Sequence, residues 1–362
     1  MVVRITSRAQ HHASSIGFFA DRIFTRRNLQ SASEKDIVLE KQHQLEVTDL
    51  KTYYRTNRGA LKAVDGVSFT LQKGQILGLV GESGCGKTTL ALSIVRLLPP
   101  GAYVADGKIS LDGQNLLALN EHQMKNIRWK KTSIIFQGAL NSLNPVLPVK
   151  EQIAEAILAH QRTAKSNVET RIDELFNAVG LEPSRKDNFP HEFSGGMKQR
   201  VMIAMALACD PELVIADEPT TALDVIVQYQ ILELIRNLRD KLQISMILIT
   251  HDLSVVAELC DKVGIMYAGK MVEFGDIFEI FEKPKHPYTR ALLKSIPKMK
   301  GGKTLSYISG SVPDLTGPVP TCRFFGRCPF GEKTCEEVEP TNEPVTLDHY
   351  VACHFWKEIE KQ

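Results

Sequence analysis

The sequence has 362 residues, with 44 Lys and Arg against 42 Asp and Glu, so its formal net charge is only +2. This balance excludes a dedicated nucleic-acid binder, which would be strongly basic. A hydrophobic fraction of 43% and a charged fraction of 24% exclude collagen-like, coiled-coil and wholly disordered chains. At about 150 residues per domain, the length predicts two to three structural units.

The first 42 residues are predicted to form a basic leader. Five arginines fall there (Arg4, Arg8, Arg22, Arg26 and Arg27), while the best apolar stretch runs only from Ile16 to Ala20. That stretch is too short for a signal peptide, whose apolar core needs about 7–15 residues. We interpret the leader as disordered or weakly helical, with an amphipathic segment on anionic lipid as the alternative. No run in the chain approaches about 18 apolar residues, so the sequence predicts no transmembrane helix.

Near residue 43, the sequence pattern changes to one that is typical of β-strands. Alternating apolar and polar residues at 45–54 and 61–71 predict half-buried antiparallel strands. The continuous apolar run Gln75–Val80 predicts a strand covered on both faces, followed by a Gly-rich turn and a helix over 88–98.

The sequence pattern predicts helices in the middle of the chain and buried strands again in the later part. Helical spacing at 151–159 and 168–179 lies within the mostly helical stretch 145–210. Two apolar strands, Leu213–Ala216 and Ser245–Thr250, follow it. Strands that alternate with helices around a helical insertion predict an α/β core with a parallel sheet.

A phosphate-binding loop lies between the strand at 75–80 and the helix at 88–98. Gly81-Glu-Ser-Gly-Cys-Gly-Lys-Thr88 fits the pattern G-x-x-x-x-G-K-[ST]. Its glycines let successive backbone N–H groups surround a phosphate, and the helix N-terminus adds positive charge. Lys87 is predicted to reach the β- and γ-phosphates, and the Thr88 hydroxyl to bind Mg²⁺. The sequence therefore predicts a nucleoside triphosphate site.

A pair of adjacent carboxylates follows a second buried strand. Asp217 comes directly after Leu213–Ala216 and is predicted to hold Mg²⁺, while Glu218 is predicted to act as the general base on the attacking water. Two carboxylates at the end of an apolar strand are costly without a cation or a reacting group nearby.

Further motifs give the chain a family resemblance. They are Gln137 after an apolar strand, Phe193-Ser-Gly-Gly-Met-Lys-Gln-Arg200, Ala222-Leu-Asp224 and His251. In this order, together with the phosphate loop, the set resembles the ATP-binding cassette of ABC transporters over about residues 43–285. The resemblance implies a P-loop NTPase fold of the α/β class: a RecA-like core, an antiparallel β-subdomain and a helical subdomain at about 138–205.

The resemblance also implies roles for these residues. Catalysis is assigned to Glu218, His251, Gln137 and Lys87, and Mg²⁺ to Thr88, Gln137 and Asp217. The nucleotide is assigned to the phosphate loop and its surroundings, namely Tyr54, Gly81, Ser83, Gly84, Cys85, Gly86, Lys87, Thr88, Thr89, Gln137 and Asp217. Ser194, Gly195 and Gly196 form the signature turn that meets the γ-phosphate held by the opposite subunit, and Asp224 bridges the two subunits.

Three of these assignments have an alternative interpretation or depart from the commonest sequence of the family. Tyr53 competes with Tyr54 as the aromatic residue that stacks on adenine. Taken alone, His251 is more often a core histidine, but its position after the strand at 245–250 favours the site. The signature has Phe193 and Met197 where the commonest form has Leu and Gln, while its Ser-Gly-Gly core is intact.

The C-terminal quarter narrows the resemblance. His286-Pro-Tyr-Thr-Arg-Ala-Leu-Leu293, Ile308-Ser-Gly-Ser-Val-Pro-Asp314 and the cysteine-rich tail resemble the ATPase subunits of oligopeptide, dipeptide and nickel ABC importers, as does Asn141-Ser-Leu-Asn-Pro145. Pro284, Pro287 and Pro297 with Gly301-Gly302 mark a boundary. We predict a small C-terminal Cys-rich metal-binding domain over residues 286–362.

Four cysteines, Cys322, Cys328, Cys335 and Cys353, crowd this tail, with 5, 6 and 17 residues between successive members. The spacing is wider than that of ordinary structural zinc sites. Four thiolates suit either a 4Fe–4S cluster or one Zn²⁺ ion, with free thiols as the third alternative. The resemblance favours the cluster. Cys85, Cys209 and Cys260 are interpreted as core or loop residues.

The resemblance implies an ATPase subunit that powers peptide import and works as a dimer with a second, similar ATPase. Its implied partners are two membrane permeases and an extracytoplasmic binding protein, with no nucleic acid. It would associate peripherally with the cytoplasmic face of the membrane. Oligosaccharide, glutathione or nickel cargo is one alternative, and a soluble ABC ATPase of DNA repair or translation is another.

Overall fold

The structure is a computed structural model that describes residues 43–138, 142–160, 164–295, 308–316 and 321–359. The predicted leader, Asn141 and the predicted boundary residues Pro297, Gly301 and Gly302 lie outside these ranges. Within the ranges, no helix is both long and apolar enough to cross a membrane.

The elements are numbered here in chain order. The first half contains β1 (His43–Thr56), β2 (Gly59–Gln72), β3 (Ile76–Val80), α1 (Lys87–Ile94), β4 (Ala102–Leu111), β5 (Gln114–Asn115), α2 (Glu121–Lys125), β6 (Thr132–Ile135), α3 (Val149–His160), α4 (Lys165–Ala178), α5 (Gly195–Ala206) and β7 (Leu213–Asp217). The second half contains α6 (Val225–Leu242), β8 (Ser245–Ile249), α7 (Leu253–Leu259), β9 (Lys262–Tyr267), β10 (Lys270–Asp276), α8 (Ile277–Glu282), α9 (Pro287–Lys294), α10 (Lys333–Glu337), β11 (Glu343–Pro344), β12 (Tyr350–Val351) and α11 (Trp356–Ile359).

An antiparallel sheet in the order β2-β1-β4-β5 forms the first layer. Its alternating pattern buries Leu45 and Val47 and exposes Glu46 between them, as the sequence predicts. The register of β1 against β4 shifts after Thr48, and Gly107 lies there with φ +102°. A Cβ atom at Gly107 would stand 2.6 Å from the carbonyl oxygen of Asp49, so this close approach of two strands requires glycine.

The second sheet has the order β11-β12-β10-β9-β3-β8-β7-β6. Strands β3, β8, β7 and β6 run parallel, and β9 is parallel to β3. Every residue of β3, β7 and β8 is buried, because helices and the first sheet cover both faces. This confirms the predicted α/β core. The carboxyl ends of β3, β7 and β8 meet at one edge, where ligands bind in such sheets.

The helical part of the chain packs α3, α4 and α5 against one another. Ile153, Phe176 and Val201 are buried, one on each helix. The spacing predicted helices at 151–159 and 168–179, and both begin two or three residues earlier in the structure. The extra first turn of α4, Lys-Ser-Asn, contains no apolar residue and therefore gave no periodic signal.

The C-terminal segment joins the second sheet. Strand β12 pairs with β10, and the Ala352 N–H donates to the Val272 carbonyl at 2.9 Å. Beneath this edge the Glu273 carboxylate is 1% exposed and accepts hydrogen bonds from the backbone N–H groups of Lys285 (2.7 Å) and His286 (3.0 Å). It also pairs with His349 Nε2 at 2.9 Å. The tail thus shares one hydrogen-bonded framework with β10.

The second half of the chain contains elements that the sequence analysis did not identify, namely β9, β10 and the long helix α6. Four apolar side chains of the tail are also buried, those of Phe324, Val351, Trp356 and Ile359. Phe324 packs on Tyr267 of β9, a contact between distant segments that leaves no local period in the sequence.

Candidate nucleotide-binding site

The predicted phosphate loop connects β3 to α1 at the carboxyl edge of the second sheet. Gly84 has φ +78° and Gly86, the N-cap of α1, has φ +106°. A Cβ atom at Gly86 would stand 2.1 Å from the carbonyl oxygen of Ala63, so only glycine fits. The loop therefore turns tightly enough to direct backbone N–H groups inward, as phosphate binding requires.

Lys87 is buried, 7% exposed, with its ammonium inside the loop. Its Nζ donates to the carbonyl oxygens of Gly81 (2.8 Å) and Glu82 (3.0 Å), and it lies 3.6 Å from the Cys85 sulfur. These hydrogen-bond partners are all neutral, so the ammonium keeps a positive charge with which to attract an anion.

Asp217 ends β7 and is 3% exposed. Burial raises the pKa of its carboxyl, although a hydrogen bond from Thr88 acts in the opposite direction. Its Oδ1 atom is buried with no hydrogen-bond partner among the described residues. A hydroxyl and a carboxylate beside an unpartnered buried oxygen are the donors that Mg²⁺ prefers, so these residues fit the predicted ion.

Glu218 follows directly and is held in a left-handed backbone conformation with φ +48°. Its Oε1 lies 3.2 Å from His251 Nδ1, and its Oε2 accepts from Thr221 Oγ1 at 2.7 Å and from Gln137 Nε2 at 3.1 Å. Such a backbone is uncommon for a residue with a side chain and costs free energy, which points to a functional constraint.

The surroundings of Glu218 keep it ionised. Burial alone raises the pKa of its carboxyl, but the hydrogen bonds from Thr221 and His251 and the charge of Lys87 outweigh burial, so the pKa is lowered overall. The His251 side chain is 71% exposed and is therefore not a core histidine. Thr221 was missed by the sequence analysis, although a hydroxyl three residues after the carboxylate was a usable signal.

The two candidate tyrosines point in different directions. The Tyr54 hydroxyl lies 3.1 Å from Thr89 Oγ1 on α1, which puts its ring beside the phosphate loop. The Tyr53 hydroxyl instead donates to Asp65 Oδ1 at 2.7 Å. The structure thus brings Tyr54, and not Tyr53, to the predicted nucleotide site.

The signature turn and Asp224 cap their own helices. Ser194 accepts from the Met197 N–H at 3.4 Å at the start of α5, and Asp224 accepts from the N–H groups of Ile226 (3.1 Å) and Val227 (3.0 Å) at the start of α6. A Cβ atom at Gly196 would stand 2.5 Å from Val227 Cγ1, so α5 and α6 meet closely there.

The four tail cysteines gather in one region as free thiols. The Cys322 N–H donates to the Cys335 carbonyl at 2.9 Å. Burial raises the pKa of Cys322 to about 11 and that of Cys353 to about 12, and the neighbouring cysteines add to both shifts. In the part of the chain that the structure describes, however, no three His, Cys, Asp or Glu side chains are placed to hold a metal ion.

The other cysteines and histidines have separate partners. Cys85, Cys209 and Cys260 are all buried, as predicted. His349 pairs with Glu273, and His354 Nε2 lies 2.9 Å from the Val338 carbonyl oxygen. Neither histidine is therefore an obvious partner of the cysteines.

A phosphate loop after β3, paired carboxylates after β7 and a histidine after β8 on one sheet edge define an ATP-binding cassette. Sequence models of two families match the chain: "ABC transporter" over residues 64–221, and "Oligopeptide/dipeptide transporter, C-terminal region" over residues 272–335. The chain belongs to the ATP-binding subunits of the oligopeptide/dipeptide family of ABC transporters, and it is an ABC-type ATPase.

Curated relatives cover nearly all of the chain. A probable peptide ABC transporter ATP-binding protein of Sinorhizobium fredii is 45% identical over 337 residues, covering 92% of this chain and 98% of its own length. The dipeptide transport ATP-binding protein of Bacillus subtilis is 46% identical over 313 residues, covering 85% of this chain and 93% of its own length.

Solved structures match the cassette. An ATP-binding cassette determined as a dimer in a post-hydrolysis state with ADP and Pi has a TM-score of 0.58 at 25% identity, covering 64% of this chain and 98% of its own. The cbiO1 protein of Clostridium perfringens, part of an ABC transporter complex, has a TM-score of 0.59 at 26% identity, covering 67% of this chain and 92% of its own.

Proposed function

We propose that this chain hydrolyses ATP to power the import of peptides through an ABC transporter. The observation that carries the proposal is the Glu218 carboxylate, held by His251, Gln137 and Thr221 at the sheet edge that carries Lys87. The relatives are peptide and dipeptide transport proteins, which favours peptide cargo over oligosaccharide, glutathione or nickel, and transport over DNA repair or translation.

ATP binding rests on the phosphate loop. The backbone N–H groups of the loop surround the β-phosphate, and Lys87 exchanges its carbonyl partners for phosphate oxygens. The ring of Tyr54 stacks on adenine. The contact set is Tyr54, Gly81, Ser83, Gly84, Cys85, Gly86, Lys87, Thr88 and Thr89.

Thr88, Asp217 and Gln137 are the residues that would hold Mg²⁺. When bound, the ion neutralises charge on the β- and γ-phosphates. Asp217 is well suited because its buried Oδ1 has no hydrogen-bond partner among the described residues.

Glu218 acts as the general base. It accepts a proton from the attacking water as the new P–O bond forms and the bond to the β-phosphate oxygen breaks, leaving ADP and phosphate. His251 holds one oxygen of the Glu218 carboxylate and would contact the γ-phosphate, while Gln137 holds the other oxygen.

A second ATPase subunit completes the site. Ser194 is the N-cap of α5, and Gly195 and Gly196 form its first turn, whose N–H groups have no partner within the helix. This position suits them to the γ-phosphate bound by the opposite subunit. Beside Asp224, the side chains of Val225 and Ile226 are 80% and 72% exposed, as expected of residues that a partner covers.

We propose a cassette over 43–285 and an extension over 286–362 whose Cys322, Cys328, Cys335 and Cys353 hold a 4Fe–4S cluster. Their thiols are close enough to raise one another's pKa. A cluster is larger than a single ion, so its four thiolates stand further apart than the ligands of zinc. Bound metal would stabilise deprotonated thiolates that burial otherwise disfavours.

Protein prepared without oxygen tests the cluster. We expect a brown protein with broad absorbance near about 400 nm and close to four irons per chain. One zinc ion and no iron would contradict the cluster and leave a zinc-linked tail.

The remaining partners are two permeases and an extracytoplasmic binding protein, which would keep the chain at the cytoplasmic face of the membrane. The test is the complex in proteoliposomes, loaded with ATP on the side of this subunit. Peptides added with the binding protein should be taken up and should stimulate hydrolysis, while oligosaccharide, glutathione and Ni²⁺ should not. Stimulation by one of those cargoes alone would contradict the peptide assignment.

A further inference from the structure

The C-terminal extension holds one residue of the phosphate loop. Glu82, the second residue of the loop, donates its backbone N–H to the hydroxyl of Tyr288 at 3.0 Å. Its carboxylate pairs with Arg327, which lies 245 positions later in the chain. Its carbonyl oxygen accepts from Lys87 Nζ at 3.0 Å. The backbone N–H, the backbone carbonyl and the side chain of Glu82 therefore all form hydrogen bonds.

Every N–H group of the Arg327 side chain donates a hydrogen bond at this contact. Nη1 donates to Glu82 Oε2 at 2.8 Å and to the Tyr267 hydroxyl at 3.2 Å, while Nη2 donates to Glu82 Oε1 at 2.9 Å and to the Ile308 carbonyl at 3.0 Å. Nε donates to the Ser309 carbonyl at 2.9 Å. The Arg327 side chain is 6% exposed and the Glu82 side chain 27%, so the guanidinium is buried while the carboxylate keeps partial contact with water.

Aromatic packing fixes both partners of Glu82. The rings of Tyr267 and Tyr288 have centroids 4.7 Å apart, and Phe324 packs on them at 5.2 and 5.4 Å. Tyr288 is fully buried, so its hydroxyl cannot follow the loop if the loop moves. The Glu82 contact is thus rigid on the side of the extension.

A carboxylate in a loop that binds phosphate opposes that binding, because both groups are negatively charged. Unpaired, the negative charge of Glu82 would repel the triphosphate at short range. Arg327 neutralises this charge and holds the carboxylate, while Tyr288 fixes the adjacent backbone.

We propose that Arg327 and Tyr288 are positioning residues for the nucleotide, through which the C-terminal extension sets the ATP affinity of the cassette. The proposal rests on the proposed ATP site. Because binding linkage is reciprocal, ATP that tightens the loop must also stabilise the segment around Arg327.

The test compares Arg327→Gln with the double variant Arg327→Gln/Glu82→Gln in the full-length chain. The measurement is the Kd for AMP-PNP with Mg²⁺, a non-hydrolysable probe. We expect Arg327→Gln to weaken binding about tenfold, because it leaves a charged Glu82 unpaired in the loop. The double variant removes that charge and should recover to within about threefold of wild type.

A matched control separates positioning from a general attachment of the tail. Arg323 lies in the same segment and is also buried, but it pairs with Asp65 on β2 and with the Ala268 carbonyl, away from Glu82. Arg323→Gln should loosen the extension in hydrogen exchange yet leave the Kd within about twofold. Tyr288→Phe keeps the aromatic packing and should weaken binding about threefold, which keeps the proposal testable if Arg327→Gln does not fold.

Two results would overturn the proposal: an Arg327→Gln protein that is folded and binds AMP-PNP within twofold of wild type, or a double variant that binds no better than Arg327→Gln. In addition, AMP-PNP should slow hydrogen exchange of residues 321–338 in wild type and not in the double variant. Binding by the wild-type chain tests the ATP site itself, whereas the ratio between the two variants tests the role of Arg327.

Discussion

The phosphate loop buries a charged group, whereas the cysteine region (Cys322, Cys328, Cys335 and Cys353) buries groups that are hard to ionise. In the loop, the Lys87 ammonium is buried among backbone carbonyl oxygens, so positive charge is already in place for an anion. In the tail, burial raises the pKa of the Cys322 and Cys353 thiols, which disfavours negative charge there. The nucleotide site is therefore preorganised for an anion, whereas the metal site proposed for the cysteine region would form only when its ligand binds.

The two regions also differ in how the chain builds them. The loop is one continuous segment between β3 and α1, whereas the cysteines are spread over Cys322 to Cys353, with Cys335 on helix α10 and the other three outside the α-helices and strands. A continuous segment is ordered by its neighbouring strand and helix. Dispersed segments gain order mainly through what links them. We therefore expect changes at the nucleotide site to affect chemistry and changes at the cysteines to affect local order.

The largest effect is expected at Glu218. Glu218→Gln should lower the rate of ATP hydrolysis by about 10²-fold or more, because only the group that accepts the proton of water is lost. ATP affinity should stay near wild type. As a matched control, Glu212→Gln at the opposite end of β7 should keep the wild-type rate. Hydrolysis at the wild-type rate by Glu218→Gln would show that another group is the base.

Lys87→Ala is expected to act on binding itself. The variant removes a buried cation that faces the phosphates, so we expect ATP affinity to fall by about 30-fold, measured as a Kd by calorimetry. Circular dichroism should confirm that the fold survives. Unchanged affinity would mean that the phosphate loop is misassigned.

Thr221→Val should have a moderate effect with a distinctive pH dependence. The Thr221 hydroxyl donates to Glu218 at 2.7 Å and lowers the pKa of that carboxyl. Removing the donor raises the pKa, so the acidic limb of the pH–rate profile should move to higher pH. A separate fall in rate of about fivefold is expected at neutral pH, because the carboxylate loses a group that orients it. Thr220→Val is the neighbouring control and should leave the limb in place. A limb that does not move in Thr221→Val would exclude the hydroxyl from the site.

The smallest effect on the nucleotide is expected from the cysteine region. Cys335→Ser should lower the iron content and speed hydrogen exchange of residues 321–338, because a metal link is lost. ATP affinity should change by less than about threefold, since Cys335 does not contact the phosphate loop and Arg327 keeps its own partners. A loss of ATP affinity as large as that of Lys87→Ala would mean that the two regions are one cooperative unit.

Much of the nucleotide site was predictable because its signals are local. A glycine-rich turn after an apolar run identifies the phosphate loop, and Asp217 and Glu218 follow a strand that is apolar throughout. The parallel sheet then brings these segments together without further information, since the carboxyl ends of parallel strands share one edge. The helical periods at 151–159 and 168–179 were predictable for the same reason, apart from the polar first turn of α4.

Only the tertiary structure decided the contacts between distant segments. The sequence alone does not distinguish the two adjacent tyrosines. The packing of β1 on α1 directs Tyr54 to Thr89 and Tyr53 to Asp65. The pairing of Arg327 with Glu82 joins residues 245 positions apart and leaves no periodic trace in either segment. Periodicity and motifs report how a segment sits between water and the core, whereas the partner of a buried charge is set by which surfaces meet when the chain folds.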